Sequence, residues 1–295
     1  MNKLGVVFPG QGSQFVGMLS DIAKESSVIE KTFAEASAVL NYDLWQLVAK
    51  GPSEELDKTE HTQPALLAAS FALWQVMQCE PAILAGHSLG EYTALVCAQA
   101  LTFKDAIRLV AARGKYMQEA VPQGVGALAA IVGLDDATVK QICEACAGSE
   151  VLMPANYNSP GQVVVAGHKA AVERAIIAAK EKGAKIAKLL PVSVPSHCAL
   201  MKPAADRLAK LLDSLTIETP KIPVINNVDA NFYKTPEQIR DGLVRQLYSP
   251  VRWVETIQEF SKLGITEVIE CGPGKVLTGL IKRIDSNLEL RSVPC

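Results

Sequence analysis

Pro81-Ala-Ile-Leu-Ala-Gly86 runs directly into Gly86-His87-Ser88-Leu89-Gly90-Glu91, and this junction restricts the fold more than any other stretch of the chain. The first segment is a short apolar run closed by glycine, which reads as a buried strand. From about Leu89 to Gln99 the pattern is that of an apolar helix. A strand, a G-x-S-x-G turn and a helix in this order make a nucleophile elbow. The flanking glycines remove side chains that would clash on so sharp a turn, and the turn lifts the serine hydroxyl clear of the backbone. The Leu89 N–H then lies at a helix N-terminus, where aligned peptide dipoles favour a developing oxyanion. The bland alternative is a glycine-bounded turn with an idle serine. It weakens once a strand and a helix stand on either side.

An elbow of this kind belongs at the edge of a parallel sheet, and the rest of the chain alternates accordingly. Leu4–Phe8 reads as a strand ended by Pro9-Gly10. An Ala- and Leu-rich helix is expected from about 63 to 78, and a further helix from Phe103 to Glu119. Strand–helix repeats imply a mostly parallel sheet covered on both faces. The middle differs. Strands at 125–132, 151–157, 162–166 and 185–190 enclose helices at 135–146 and 169–182, in the order βαββαβ of a ferredoxin-like unit. The expectation is therefore a large α/β-hydrolase-like domain, residues 1–123 and 193–295, with a small ferredoxin-like subdomain inserted at 124–192. The large domain resumes with helices near 201–214, 237–247 and 255–262. Short strands are expected at Val224-Ile225 and 266–270, and a last helix ends near Arg283.

Composition excludes several function classes. In 295 residues, 49% are hydrophobic, enough for a sizeable core. The formal net charge of -2 gives no reason to expect nucleic acid as a partner, although a local basic patch could still meet an acidic one. The seven cysteines are an odd number spread widely, which suits reduced thiols rather than a disulfide framework. The N-terminal apolar run is too short for a signal peptide, and no stretch of about 18 apolar residues suggests a membrane span. Cys295 is the last residue, so the prenylation pattern is absent. A cytoplasmic enzyme is the expectation.

A serine nucleophile needs a base. Of four histidines, His61 starts a helix, His168 enters another, and His87 neighbours Ser88 on a turn that points it elsewhere. His197, in Val194-Pro-Ser-His-Cys198, lies where the chain leaves the insert and could return to the sheet edge. The residues alone leave it one candidate, with a merely structural histidine as the alternative. Pro9-Gly10-Gln11-Gly12-Ser13-Gln14 follows the first strand, and a backbone N–H from it could join that of Leu89 as a second oxyanion donor. It is neither a dinucleotide fingerprint nor a phosphate-binding P-loop. Arg113 stands on an otherwise apolar helix and could grip a substrate carboxylate, though a solvated arginine fits the pattern too. Cys143-x-x-Cys146 lacks the second ligand pair of a zinc site, so no metal is expected.

Several segments in one order carry a resemblance. They are Phe8-Pro-Gly-Gln-Gly-Ser-Gln14, Thr62-Gln-Pro-Ala65, Gly86-His-Ser-Leu-Gly-Glu-Tyr92, Arg113-Gly-Lys115 and Asn156-Tyr-Asn-Ser-Pro-Gly-Gln162. Val194-Pro-Ser-His-Cys198, Asn226-Asn-Val228 and Gly272-Pro-Gly-Lys275 follow. Together they resemble the malonyl-CoA:acyl carrier protein transacylase family across essentially the whole chain. The resemblance implies Ser88 as the acylated residue, His197 as its base and Arg113 as the partner of the malonyl carboxylate. It implies Gln11 and Leu89 N–H groups as the oxyanion hole, and the Gln246 main-chain carbonyl as the group that orients the histidine. It further implies malonyl-CoA as substrate, acyl carrier protein as partner, no bound cofactor and fatty acid biosynthesis as the setting; a monomer is the expectation. An esterase or lipase sharing the elbow would want a third acidic residue and an apolar acyl pocket, and neither is evident.

Overall fold

The computed structural model describes residues 3–192 and 194–293. The expected boundary at 193 and the terminal Cys295 lie outside the described residues. Among the described residues, nine strands follow in chain order: β1 (Leu4–Phe8), β2 (Ile83–Gly86), β3 (Gly126–Val132), β4 (Leu152–Ser159), β5 (Gln162–His168), β6 (Ile186–Leu189), β7 (Val224–Ile225), β8 (Glu267–Glu270) and β9 (Glu289–Ser292). The order β7-β2-β1-β8-β9 makes one five-stranded sheet in which every pairing is parallel. Strand residues alternate between two helical layers. Val6, Phe8, Leu84 and Val224 join one core, and Val7, Ile83, Ala85 and Ile225 join the other. Burial on both faces is why these strands read as unbroken apolar runs.

Three features around the parallel sheet depart from the expectations drawn from sequence. The Ala- and Leu-rich helix runs Thr59–Met77, starting before 63 and taking in Pro64. Lys58 O accepts from both His61 and Thr62 N–H, so the first turn is set upstream of the proline. Strand β9 was not expected. Its polar Glu-Leu-Arg-Ser sequence pairs with β8 at the sheet edge, where no second apolar face is required. Four helices between Ser20 and Leu56 also carried no prior expectation.

The second sheet is antiparallel, in the order β4-β5-β3-β6. Helices Asp136–Ala147 and Lys169–Glu181 cover one of its faces, packing Val139, Ile142, Val172 and Ala175 on Ala129, Ile131, Val163 and Val165. The Asp135 carboxylate caps the first helix by accepting from the Thr138 N–H at 2.7 Å. The other face presents Leu128, Val164 and Ala166 toward Cys198. Strand β4 is tied to the larger sheet's domain through Val251, whose N–H donates to Ala155 O and whose carbonyl accepts from Tyr157 N–H, both at 2.9 Å.

The parallel register sets up the elbow. Phe8 pairs with Gly86, so the loops leaving β1 and β2 emerge side by side. A side chain on Gly10 would stand 2.5 Å from His87 O, one on Gly86 1.9 Å from Gly90 C, and one on Gly90 2.0 Å from Phe8 O. These are collisions with backbone, which cannot swing aside. Gly90→Ala should therefore cost at least ~2 kcal/mol of stability, read as a lower denaturant midpoint. An unchanged midpoint would mean the turn is looser than these distances.

Candidate active site

Ser88 adopts φ 53°, in the left-handed region that a side chain ordinarily avoids. Neighbouring side chains hold it there. Its N–H donates to Asn227 Oδ1 at 2.7 Å, and its carbonyl accepts from Gln246 Nε2 at 3.0 Å. Asn227 Nδ2 also donates to Gly86 O at 2.6 Å, so one asparagine braces both sides of the turn.

The Ser88 hydroxyl lies 2.8 Å from His197 Nε2. The other ring nitrogen, Nδ1, is 2.7 Å from the main-chain carbonyl of Gln246. A carbonyl only accepts, so Nδ1 carries the hydrogen and Nε2 presents its lone pair to the serine O–H. His197 is 2% exposed. Burial first, and then the Arg113 charge, lower its pKa to about 3, which keeps the imidazole neutral.

Arg113, 1% exposed, comes from the Phe103–Glu119 helix, whose start is capped by Thr102. Its guanidinium donates to Gln63 Oε1 and Gln246 Oε1, both at 2.9 Å, and reaches within 3.4 Å of Ser88 Oγ. It lies over the Tyr92 ring, 5.3 Å from the centroid. Its Nε–H meets no acceptor among the described residues. A buried cation with only neutral direct partners and a spare donor has the chemistry to pair with a carboxylate.

Gln11, Ser88, Leu89, Arg113 and His197 line one cavity of about 230 Å³, walled on the insert side by Leu128 and Val164. Among the described residues none accepts a hydrogen bond from the Gln11 or Leu89 N–H. Gln246 is buried behind the cavity. The fold thus brings together all six residues singled out from the sequence. Two of the remaining histidines lie elsewhere, whereas His87, expected from the sequence to point away, lines the same cavity because the loops leaving β1 and β2 emerge side by side. His61 Nδ1 contacts Glu55 O, His168 Nδ1 accepts from Val151 N–H, and His87 Nε2 reaches Asn158 Oδ1 at 2.8 Å. Cys143 is buried in the core of the insert, its thiol pushed up to about 12 by burial. Among the described residues no group of three or more His, Cys, Asp or Glu could hold a metal, and no helix is long and apolar enough to cross a membrane.

Sequence reasoning gave no role to Gln63, Glu91 or Asn227, or to the side chain of Gln246. Glu91 is fully buried and accepts from Tyr233 Oη at 2.5 Å, and from Gln246 Nε2 and the Asn227 N–H at 2.9 Å each. The signal was a carboxylate inside Gly90-Glu-Tyr-Thr-Ala-Leu-Val-Cys97, a helix buried at every position. A charge there needs partners from elsewhere in the chain.

A parallel sheet with this elbow, closed on by an imidazole and a guanidinium, is an architecture suited to acyl-group transfer. Residues 6–290 match the model of the acyl transferase domain, and the chain belongs to that family. Among its relatives are the malonyl CoA-acyl carrier protein transacylases of Escherichia coli strain K12, 59% identical over 98% of this chain and 94% of the relative, and of Bacillus subtilis strain 168, 45% identical over 99% and 94%. An acyl carrier protein S-malonyltransferase crystal structure from Vibrio cholerae superposes with a TM-score of 0.97 at 60% identity, covering 99% of this chain and 96% of that one. A malonyl-transacylase in complex with its type II PKS acyl-carrier protein gives 0.98 at 57% identity, with the same coverage.

Proposed function

We propose that the protein moves the malonyl group of malonyl-CoA onto the phosphopantetheine thiol of acyl carrier protein, through a malonyl ester on Ser88, in cytoplasmic fatty acid biosynthesis. The observation that carries this reading is Ser88 Oγ at 2.8 Å from a neutral imidazole and 3.4 Å from a buried guanidinium. In the first half-reaction His197 Nε2 takes the Ser88 proton as Oγ attacks the thioester carbonyl. The N–H groups of Gln11 and Leu89 hold the oxyanion. The C–S bond then breaks, and the proton on His197 passes to the departing coenzyme A sulfur. In the second half the carrier thiol gives its proton to His197 and attacks the ester, and Ser88 regains its hydrogen. The Gln246 carbonyl fixes the imidazole tautomer, the task a carboxylate performs in a Ser-His-Asp triad.

The division into a large domain, 1–123 and 193–295, and an insert, 124–192, gives the insert a task in this scheme. Leu128 and Val164 supply an apolar wall beside Ser88 that limits water attack on the ester. The decisive experiment is intact mass after malonyl-CoA alone, then after adding holo-carrier protein. A malonyl adduct that passes to the carrier supports transfer. Free malonate with an uncharged carrier would point to a hydrolase, and no adduct at all to a binding module.

The pH profile gives a second check. A base whose pKa is held at about 3 by burial and by Arg113 stays unprotonated well below the usual histidine range. The kcat/KM for malonyl-CoA should therefore show no acid limb between about pH 8 and pH 5. A fall centred near the ordinary histidine pKa would mean His197 is solvated in the working enzyme.

A further inference from the structure

Arg113 is a buried cation with no carboxylate in direct contact, yet the described residues place a buried carboxylate one amide away. Gln246 Oε1 accepts from Arg113 at 2.9 Å, and Gln246 Nε2 donates to Glu91 at 2.9 Å and to Ser88 O at 3.0 Å. Every neighbour of this amide has a single character. The guanidinium only donates; the Ser88 carbonyl and an ionised Glu91 only accept. The side chain thus has one orientation, and that orientation aligns its dipole between the cation and the anion. We propose that Glu91 is a positioning residue that serves, through the Gln246 amide, as the resident counter-charge of Arg113. This rests on the reading that Arg113 receives the acyl carboxylate.

The spacing is the point. A direct Glu91–Arg113 pair would occupy the donors that a substrate carboxylate needs. With no negative charge nearby, the guanidinium would be an isolated ion in the protein interior, which is costly. One intervening amide keeps the attraction at longer range and leaves the Arg113 Nε–H without an acceptor among the described residues. The charged and titratable groups around Glu91 are Tyr92 on its own helix, Arg113, and Tyr233 following β7, with Arg245 acting on Tyr233 from the Pro236–Gln246 helix. Arg113 and the three hydrogen-bond donors favour its ionised form, while burial opposes it and brings its pKa to about 7. Work at about pH 8 therefore keeps the carboxylate charged.

Glu91→Gln removes the charge and keeps the shape. The oxygen that faces both the Asn227 N–H and Gln246 Nε2 remains an acceptor, and the Tyr233 hydroxyl can turn to accept from the new amide. The probe is malonate, whose affinity is read at pH 8 from its stabilisation of the folded protein against heat, without any turnover. A cation that has lost its resident counter-charge holds an added carboxylate more tightly. The malonate dissociation constant should fall about threefold or more in Glu91→Gln. Tyr233→Phe, which strips one donor from the carboxylate and so favours its protonated form, should shift it the same way by less, and this variant serves if Glu91→Gln fails to fold. Unchanged or weaker malonate binding in the folded variants overturns the proposal and leaves Glu91 a packing residue. Because the assay needs no acyl transfer, a failure of the malonyltransferase reading would show separately, as a missing adduct on the unaltered protein.

Discussion

Replacing Ser88 by alanine is expected to abolish the malonyl adduct and to lower carrier charging by on the order of 10⁴-fold or more. The size follows from the division of labour in the cavity. The Gln11 and Leu89 N–H groups and the Arg113 guanidinium remain in the variant, so the substrate can still be bound and polarised. Without the hydroxyl there is no covalent halfway point. Coenzyme A and the carrier thiol would then have to meet at one acyl carbon in a single step. The backbone at Ser88 is braced by Asn227 and Gln246 through main-chain atoms, so alanine should leave the turn folded and the loss should be chemical. Intact mass and single-turnover carrier charging read it directly. An adduct that persists in Ser88→Ala would move the acyl site elsewhere.

The second large effect belongs to Arg113. Arg113→Ala should reduce malonyl transfer by roughly 30- to 5,000-fold, the equivalent of about 2–5 kcal/mol for a buried, hydrogen-bonded charge pair that loses one partner. Acetyl transfer should fall far less. Both acyl groups suffer alike from the loosening of Gln63 and Gln246, which lose their donor in either case. The ratio of the two losses therefore isolates the carboxylate contact. Equal losses for malonyl-CoA and acetyl-CoA would mean that the arginine organises the site without recognising the substrate.

Much of this was legible from residues alone, for identifiable reasons. The elbow could be read because its steric demands are local. Gly86 and Gly90 face backbone at contact distance, and no other residue type fits. The βαββαβ order could be read because turn chemistry at Asn158–Gly161 and the helix cap at Asp135 are written into short stretches. Strand β9 was missed because an edge strand with one neighbour needs no apolar run. The N-terminus of the Thr59–Met77 helix was misjudged because Pro64 looks like a first-turn residue, while the real start is fixed by Lys58 and by Thr62 bonding Leu56 O. The polar network behind the cavity was the least accessible part. Asn227 and Glu91 are 136 positions apart, as the Asn227 N–H to Glu91 bond records. Nothing in either neighbourhood announces the other. That pairing is a product of the sheet order, which brings β7 alongside β2.

The sequence distances within the site have a consequence for the growing chain. Ser88 meets His197 across 109 positions, and the carbonyl that orients that histidine comes 49 positions later. A nascent polypeptide that has passed the ribosome only as far as the insert therefore holds a serine with ordinary alcohol reactivity. On the proposed mechanism the hydroxyl acquires an oriented base only when the segment around Gln246 has docked, late in synthesis. Chains that lack the segment around Gln246 would, on the same mechanism, leave activated thioesters untouched.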